Sequence, residues 1–133
     1  MMHVVDVDAR NLFQAVADST RVRILRLMIE TKEEICLCDF VDSLLEPQYN
    51  LSKHLKVLRQ SGLISAVKDG RWVYHGLIDG AQHIKNLYRL ISSLPDTNGA
   101  FLADLKQFQK RKRIRGERCR EDIISGQERT RKK

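Results

Sequence analysis

Two short helical patterns meet almost without a linker at Glu46-Pro47, and a β-rich hairpin pattern follows them directly. This arrangement limits the possible folds more than anything else in the chain. Residues 35 to 45 read as a short helix, with Leu37, Phe40, Val41, Leu44 and Leu45 on an apolar face. Pro47 suits the first turn of the next helix, where a missing N–H costs nothing. That helix runs to about Gln60, buries Leu51, Leu55 and Leu58, and ends at Gly62, a residue free to take the left-handed conformation. Two helices joined so tightly, the second with a polar outer face, make a helix-turn-helix candidate. The run "ISAVKDGRWVYHGL" places Asp69-Gly70 between two β-prone segments. Asp-Gly there predicts a tight hairpin, because both central turn positions would need positive φ. Helix, turn, helix and hairpin in that order predict a mainly α fold with a β-hairpin wing, a winged helix-turn-helix.

The flanking segments complete one modest domain, which is what 133 residues allow. Residues 8 to 17 read as a first helix with Leu12, Phe13 and Val16 as its stripe, and Asp18 or Ser19 caps a second built on Val22, Ile24, Leu25, Met28 and Ile29. Residues 81 to 94 form a further amphipathic helix closed by Pro95, and a last one runs from Ala100 to about Lys112. The expected organisation is a domain over residues 1–112 and a basic tail over 113–133. Asp6 and Asp8 precede any basic residue and no sustained apolar stretch begins the chain, so a signal peptide is not expected. No window reaches the roughly 20 apolar residues of a membrane span. A cytoplasmic protein with reduced thiols is expected, and three cysteines, an odd number, argue against a disulfide framework.

The net charge of +7 comes from the C-terminal end: residues 110 to 133 carry eleven basic and four acidic side chains, while residues 1 to 109 balance. Within that neutral body, Lys53, Lys56, Arg59, Lys68 and Arg71 crowd together with only Asp69 against them, a stripe suited to a polyanion. On a helical wheel, the face opposite Leu51, Leu55 and Leu58 carries Tyr49, Lys53 and Lys56, flanked by Asn50 and Ser52, with Gln48 near the helix start. Gln and Asn suit adenine edges, Lys suits guanine or phosphate, and Ser suits backbone oxygens. A solvated helix face would look similar, but Lys68 and Arg71 flank the hairpin tip, where they would lie against neighbouring phosphates. Double-stranded DNA is therefore the expected partner. His54 borders the buried and open faces, either as a contact or as a half-buried structural residue. Trp72 and Tyr74 alternate along the second strand and are expected to anchor the wing.

Cys36 and Cys38 stand one residue apart in "ICLCDF", followed by Asp39. Ligation, a redox switch and plain packing of small apolar residues all suit them. In a helix, side chains two positions apart project about 200° from each other. Both sulfurs can then hold one ion only if the first turn deforms. No nucleophile, base and orienting residue assemble along the chain, so no enzyme is expected.

Taken together, "VADSTRVRILRLM", "ICLCDF" and "QYNLSKHLKVLRQSGLISAVKDGRWVYHGL" resemble the successive signatures of the ArsR/SmtB family of metal-sensing bacterial repressors over roughly residues 9 to 94. The match includes Ser52, His54, Leu55, Leu58, Arg59, Gly62 and Leu63 at the family's spacing. It implies a homodimer assembled through the first helix and the helix at 81 to 94, bound to an imperfect operator palindrome and released by an inducer. The Cys-x-Cys-Asp element resembles that of sensors of trivalent arsenic and antimony, and in some members of cadmium or lead. The family's arsenical motif places a third sulfur where this chain has Val41, which leaves Cys119 in the tail as third ligand or as an unrelated thiol. The family's harder-metal site is incomplete here, since Asp79 and His83 find no second ligand pair downstream.

Overall fold

The computed structural model describes residues 2–115, with side chains over residues 9–114. Helix α1 spans Met2–Ala15, α2 Ser19–Thr31, α3 Leu37–Leu44, α4 Gln48–Gln60, α5 Gln82–Ser92 and α6 Ala100–Arg115. Strands β1 (Ile35–Cys36), β2 (Ile64–Asp69) and β3 (Trp72–Leu77) form an antiparallel sheet in the order β1-β3-β2. Ile24, Leu25, Leu27 and Met28 of α2 sit at the centre of the core, with Phe40 and Leu44 of α3, Leu51, Leu55 and Leu58 of α4, and Ile84, Leu87 and Ile91 of α5 around them. None of the described helices is long and apolar enough to cross a membrane.

Local chemistry explains most boundaries. Asp18 caps α2 by accepting from the backbone N–H groups of Thr20 and Arg21 at 2.9 and 3.1 Å. Leu45 closes α3 with φ at 57°, a left-handed conformation that a leucine adopts at a cost of about 1 kcal/mol. Pro47 stands one place earlier than expected, as the residue preceding α4, and its carbonyl accepts from Leu51 at 3.1 Å. After α4, Gly62 takes φ at +83° while the Leu63 N–H reaches back to the Leu58 carbonyl at 3.1 Å, the closure expected of this glycine.

Four expectations need correction. Residues 35 and 36 are strand rather than the start of α3: Ile35 pairs with His75 and Cys36 with Tyr74. Two residues are too few to show a period of two in sequence, and only β3 defines them as a strand. The hairpin turn is Gly70-Arg71, since Asp69 pairs with Trp72, and only Gly70 has positive φ. That suits a turn with glycine at its first central position rather than one with positive φ at both. Phe13 is 65% exposed, so of the expected stripe Leu12 and Val16 pack against the core, beside buried Ala15. Helix α6 also runs three residues past Lys112.

Candidate nucleic-acid interface and thiol site

Helix α4 turns its apolar side inward and leaves Gln48, Tyr49, Asn50, Ser52, Lys53 and Lys56 exposed. The Lys53 ammonium lies 4.9 Å from the centre of the Tyr49 ring, one turn away, which orders both side chains on the open face. Lys68 and Arg71 are exposed at the tip of the β2–β3 hairpin. His54 differs from the rest. It is half-buried, with Nδ1 3.2 Å from Arg21 Nη1 and 3.9 Å from Asp18, while Arg21 also donates to the Ala15 carbonyl at 2.7 Å. His54 therefore ties α4 to the α1–α2 corner.

The second cluster lies where β1 passes into α3. Cys36 occupies the position before the first turn of α3 with extended backbone, φ −86° and ψ 162°, while Cys38 and Asp39 belong to that turn. This break in helical geometry overturns the expected 200° divergence. The two sulfurs face one another at 2.7 Å, paired with each other rather than free. With an Asp39 oxygen they make a group in which every donor lies within 4.8 Å of the others. Such a sulfur-rich set fits a thiophilic ion, and the N-terminus of α3 favours the negative charge its donors would carry. Cys36 is fully buried against Tyr74, with Cys38 and Trp72 packed beside them. The wing anchors expected from sequence thus rest on the thiols themselves. The Trp72 Nε1 is buried with no hydrogen-bond partner among the described residues.

Helix α6 closes the site from the far end of the chain. Arg111 Nε donates to Asp39 Oδ1 at 2.6 Å, the same guanidinium pairs with Asp42, and Lys112 pairs with Glu33. Further along, Asp104 is buried and takes two hydrogen bonds from Arg23, at 2.7 and 2.9 Å. Beneath β1, buried His75 approaches the Ile35 carbonyl with Nδ1 at 3.1 Å. Burial holds the His75 imidazole below its ordinary 6.5 despite that hydrogen bond, and Arg59 adds to the lowering. Sequence reasoning missed Arg111, Asp104 and His75. For Asp39 the signal was its place after the thiols; for Arg111, 72 positions away, there was none. Cys119 lies outside the described residues. Asp79 and His83 are exposed and belong to no candidate metal group among the described residues.

The family described as "Bacterial regulatory protein, arsR family" matches residues 18–66. An uncharacterized HTH-type transcriptional regulator of Methanocaldococcus jannaschii is 34% identical over 86 residues, which cover 65% of this chain and 93% of the relative. The arsenical resistance operon repressor of Escherichia coli is 42% identical over 66 residues, or 50% of this chain and 56% of that one, so the chain spans little more than half of it. Among solved structures, the transcriptional regulator HlyU from Vibrio vulnificus superposes with a TM-score of 0.56 at 28% identity, covering 69% of this chain and 92% of that chain. The matched segment holds the capped α2, the thiols, the tight turn and α4. The chain belongs to the ArsR family of bacterial regulatory proteins and is a winged helix-turn-helix transcriptional regulator.

Proposed function

We propose that this regulator is a homodimeric repressor that holds operator DNA through α4 and the wing, and lets go when arsenite or antimonite binds Cys36 and Cys38. The observation that carries the reading is the convergence of the two sulfurs across the β1–α3 junction. Cys36 belongs to the strand that pairs with β3, and Cys38 to the helix that packs against α4. An ion held by both sulfurs clamps strand to helix, so a change in their relation reaches the wing and the recognition helix together. In the ligand-free protein neither thiol needs to touch DNA. Gln48, Asn50 and Lys53 would read base edges, Tyr49, Ser52, His54 and Lys56 would hold the helix in register, and Lys68 and Arg71 would meet phosphates beside it. Exposed Phe13 on α1 and Leu90 on α5 leave apolar surface on the two helices that the family's dimer would use. Trivalent arsenic takes three sulfurs, and the reading gives the third place to Cys119, within one protomer or across the dimer.

The test is a gel shift on the protein's own upstream DNA with arsenite, antimonite, cadmium, zinc and peroxide added separately. Cys36→Ser and Cys38→Ser are each expected to bind the DNA like the parent and to lose release by arsenite entirely. Cys119→Ser is expected to respond at a higher arsenite concentration. Release that survives in the Cys36/Cys38 double variant eliminates the site. A second reading, a redox regulator, draws on the same close sulfur pair; release by peroxide but by none of the ions would select it.

A further inference from the structure

The three donors of the thiol site differ in availability. Two sulfurs and a carboxylate oxygen within 4.8 Å suit a borderline divalent ion such as zinc as well as a soft one. Asp39, however, is engaged by Arg111 at 2.6 Å, in a contact where the carboxylate is 4% exposed and the guanidinium 27%. Arg111 is held from a second side by Asp42, one turn further along α3. Removing the guanidinium would take a charge-assisted partner from a buried carboxylate, which makes this contact costly to open.

From this we infer that Arg111 determines which ions the thiol pair accepts: it withholds Asp39 and so favours uncharged thiophilic metalloids over divalent cations. The inference rests on the reading of Cys36 and Cys38 as ligands. A dication must either displace the guanidinium or settle beside its positive charge on two sulfurs alone, and both choices weaken its binding. Arsenite arrives near neutral pH as a neutral hydroxide. For each thiol that reacts, one arsenic–sulfur bond forms and one arsenic–oxygen bond breaks. The thiol proton leaves with the hydroxyl as water, and no oxidation state changes. That exchange needs no carboxylate and meets no net repulsion. Ion choice is thereby controlled from α6, outside the segment 18–66 that carries the family match.

Zinc affinity is measured on the full chain by competition with a chromophoric chelator, and arsenite occupancy by protection of the thiols from a thiol-reactive dye. Arg111→Gln is expected to bind zinc about tenfold or more tightly than the parent, the usual scale for residues that orient metal ligands. Arsenite protection in that variant is expected to match the parent. The double variant Asp39→Asn/Arg111→Gln is expected to return to the parent's zinc affinity, which separates release of the carboxylate from mere loss of a positive charge. Arg111→Lys keeps a cation beside Asp39 and covers the case in which Arg111→Gln does not fold; its expected gain is smaller than that of Arg111→Gln. Unchanged zinc binding in the folded single variants, or an equal gain in the double variant, overturns the inference and leaves the arsenite reading standing. Thiols of the parent left unprotected by arsenite overturn that reading instead.

Discussion

The open face of α4 and the thiol site at Cys36 are built from one stretch of chain by opposite means. The face is made by a single helix whose period puts Leu51, Leu55 and Leu58 in the core and Gln48, Tyr49, Asn50, Ser52, Lys53 and Lys56 in solvent, with His54 half-buried between them. Its polar side chains contribute little to holding the fold. The thiol site is assembled from β1, α3, β3 and α6, with Cys36 fully buried and Asp39 closed over by Arg111. Its charged groups are structural as well as chemical. One chain can therefore keep a solvated basic surface and a closed cluster of sulfurs and a carboxylate, because helical periodicity makes the first and long-range contact the second.

That contrast predicts different costs for removing charge. Arg111→Ala leaves buried Asp39 without its guanidinium and is expected to destabilise the fold by about 2 kcal/mol, discounted from a fully buried pair because Arg111 is partly exposed. Lys53→Ala with Lys56→Ala, on the open face, is expected to stay within about 0.5 kcal/mol of the parent. Urea unfolding of both variants decides the matter, and equal losses would mean that the two regions are not built differently.

Neutralising Lys68 and Arg71 together is expected to weaken DNA binding about tenfold near physiological salt, or about 1.4 kcal/mol, for operator and unrelated DNA alike. The dependence of log affinity on log salt should flatten at the same time, since fewer counterions are displaced. Gln48→Ala or Asn50→Ala should instead narrow the gap between operator and unrelated DNA. A wing variant as tight as the parent at every salt concentration removes the wing from the interface.

The smallest effect belongs to His75. Its folded-state value lies below 6.5 because of burial, so the unfolded chain takes up the proton first. The stability it contributes is complete above the unfolded value and is lost as pH falls from there towards the folded value. Unfolding measured between about pH 7.5 and about pH 5.5 should show a decline for the parent that is shallower in His75→Gln. An identical decline in both would assign the effect to other groups.

The legibility of the two regions follows the same division. The helices from α2 to α5, the Gly62 closure and the exposed residues of α4 could all be read from sequence, because each depends on neighbours within a turn or two. The hairpin was legible as a hairpin, although its turn lay one residue later than Asp69-Gly70 suggested. The thiols were visible as ligand types, but their geometry was misjudged. A helix was continued backwards through Ile35 and Cys36, where pairing with β3 draws the chain into a strand.

What the sequence by itself determined is the order of elements, the buried and open sides of α4, and the presence of two thiols with a carboxylate beside them. Tertiary structure alone decided that the sulfurs converge, that Tyr74 packs against buried Cys36 with Trp72 and half-buried Cys38 beside it, and that Arg111 holds Asp39. Periodicity carries information over a few residues, because backbone geometry repeats at 3.6 or 2 positions. The Cys36–Tyr74 pairing and the Arg111–Asp39 contact join residues 38 and 72 positions apart, and only packing of the whole chain brings them together.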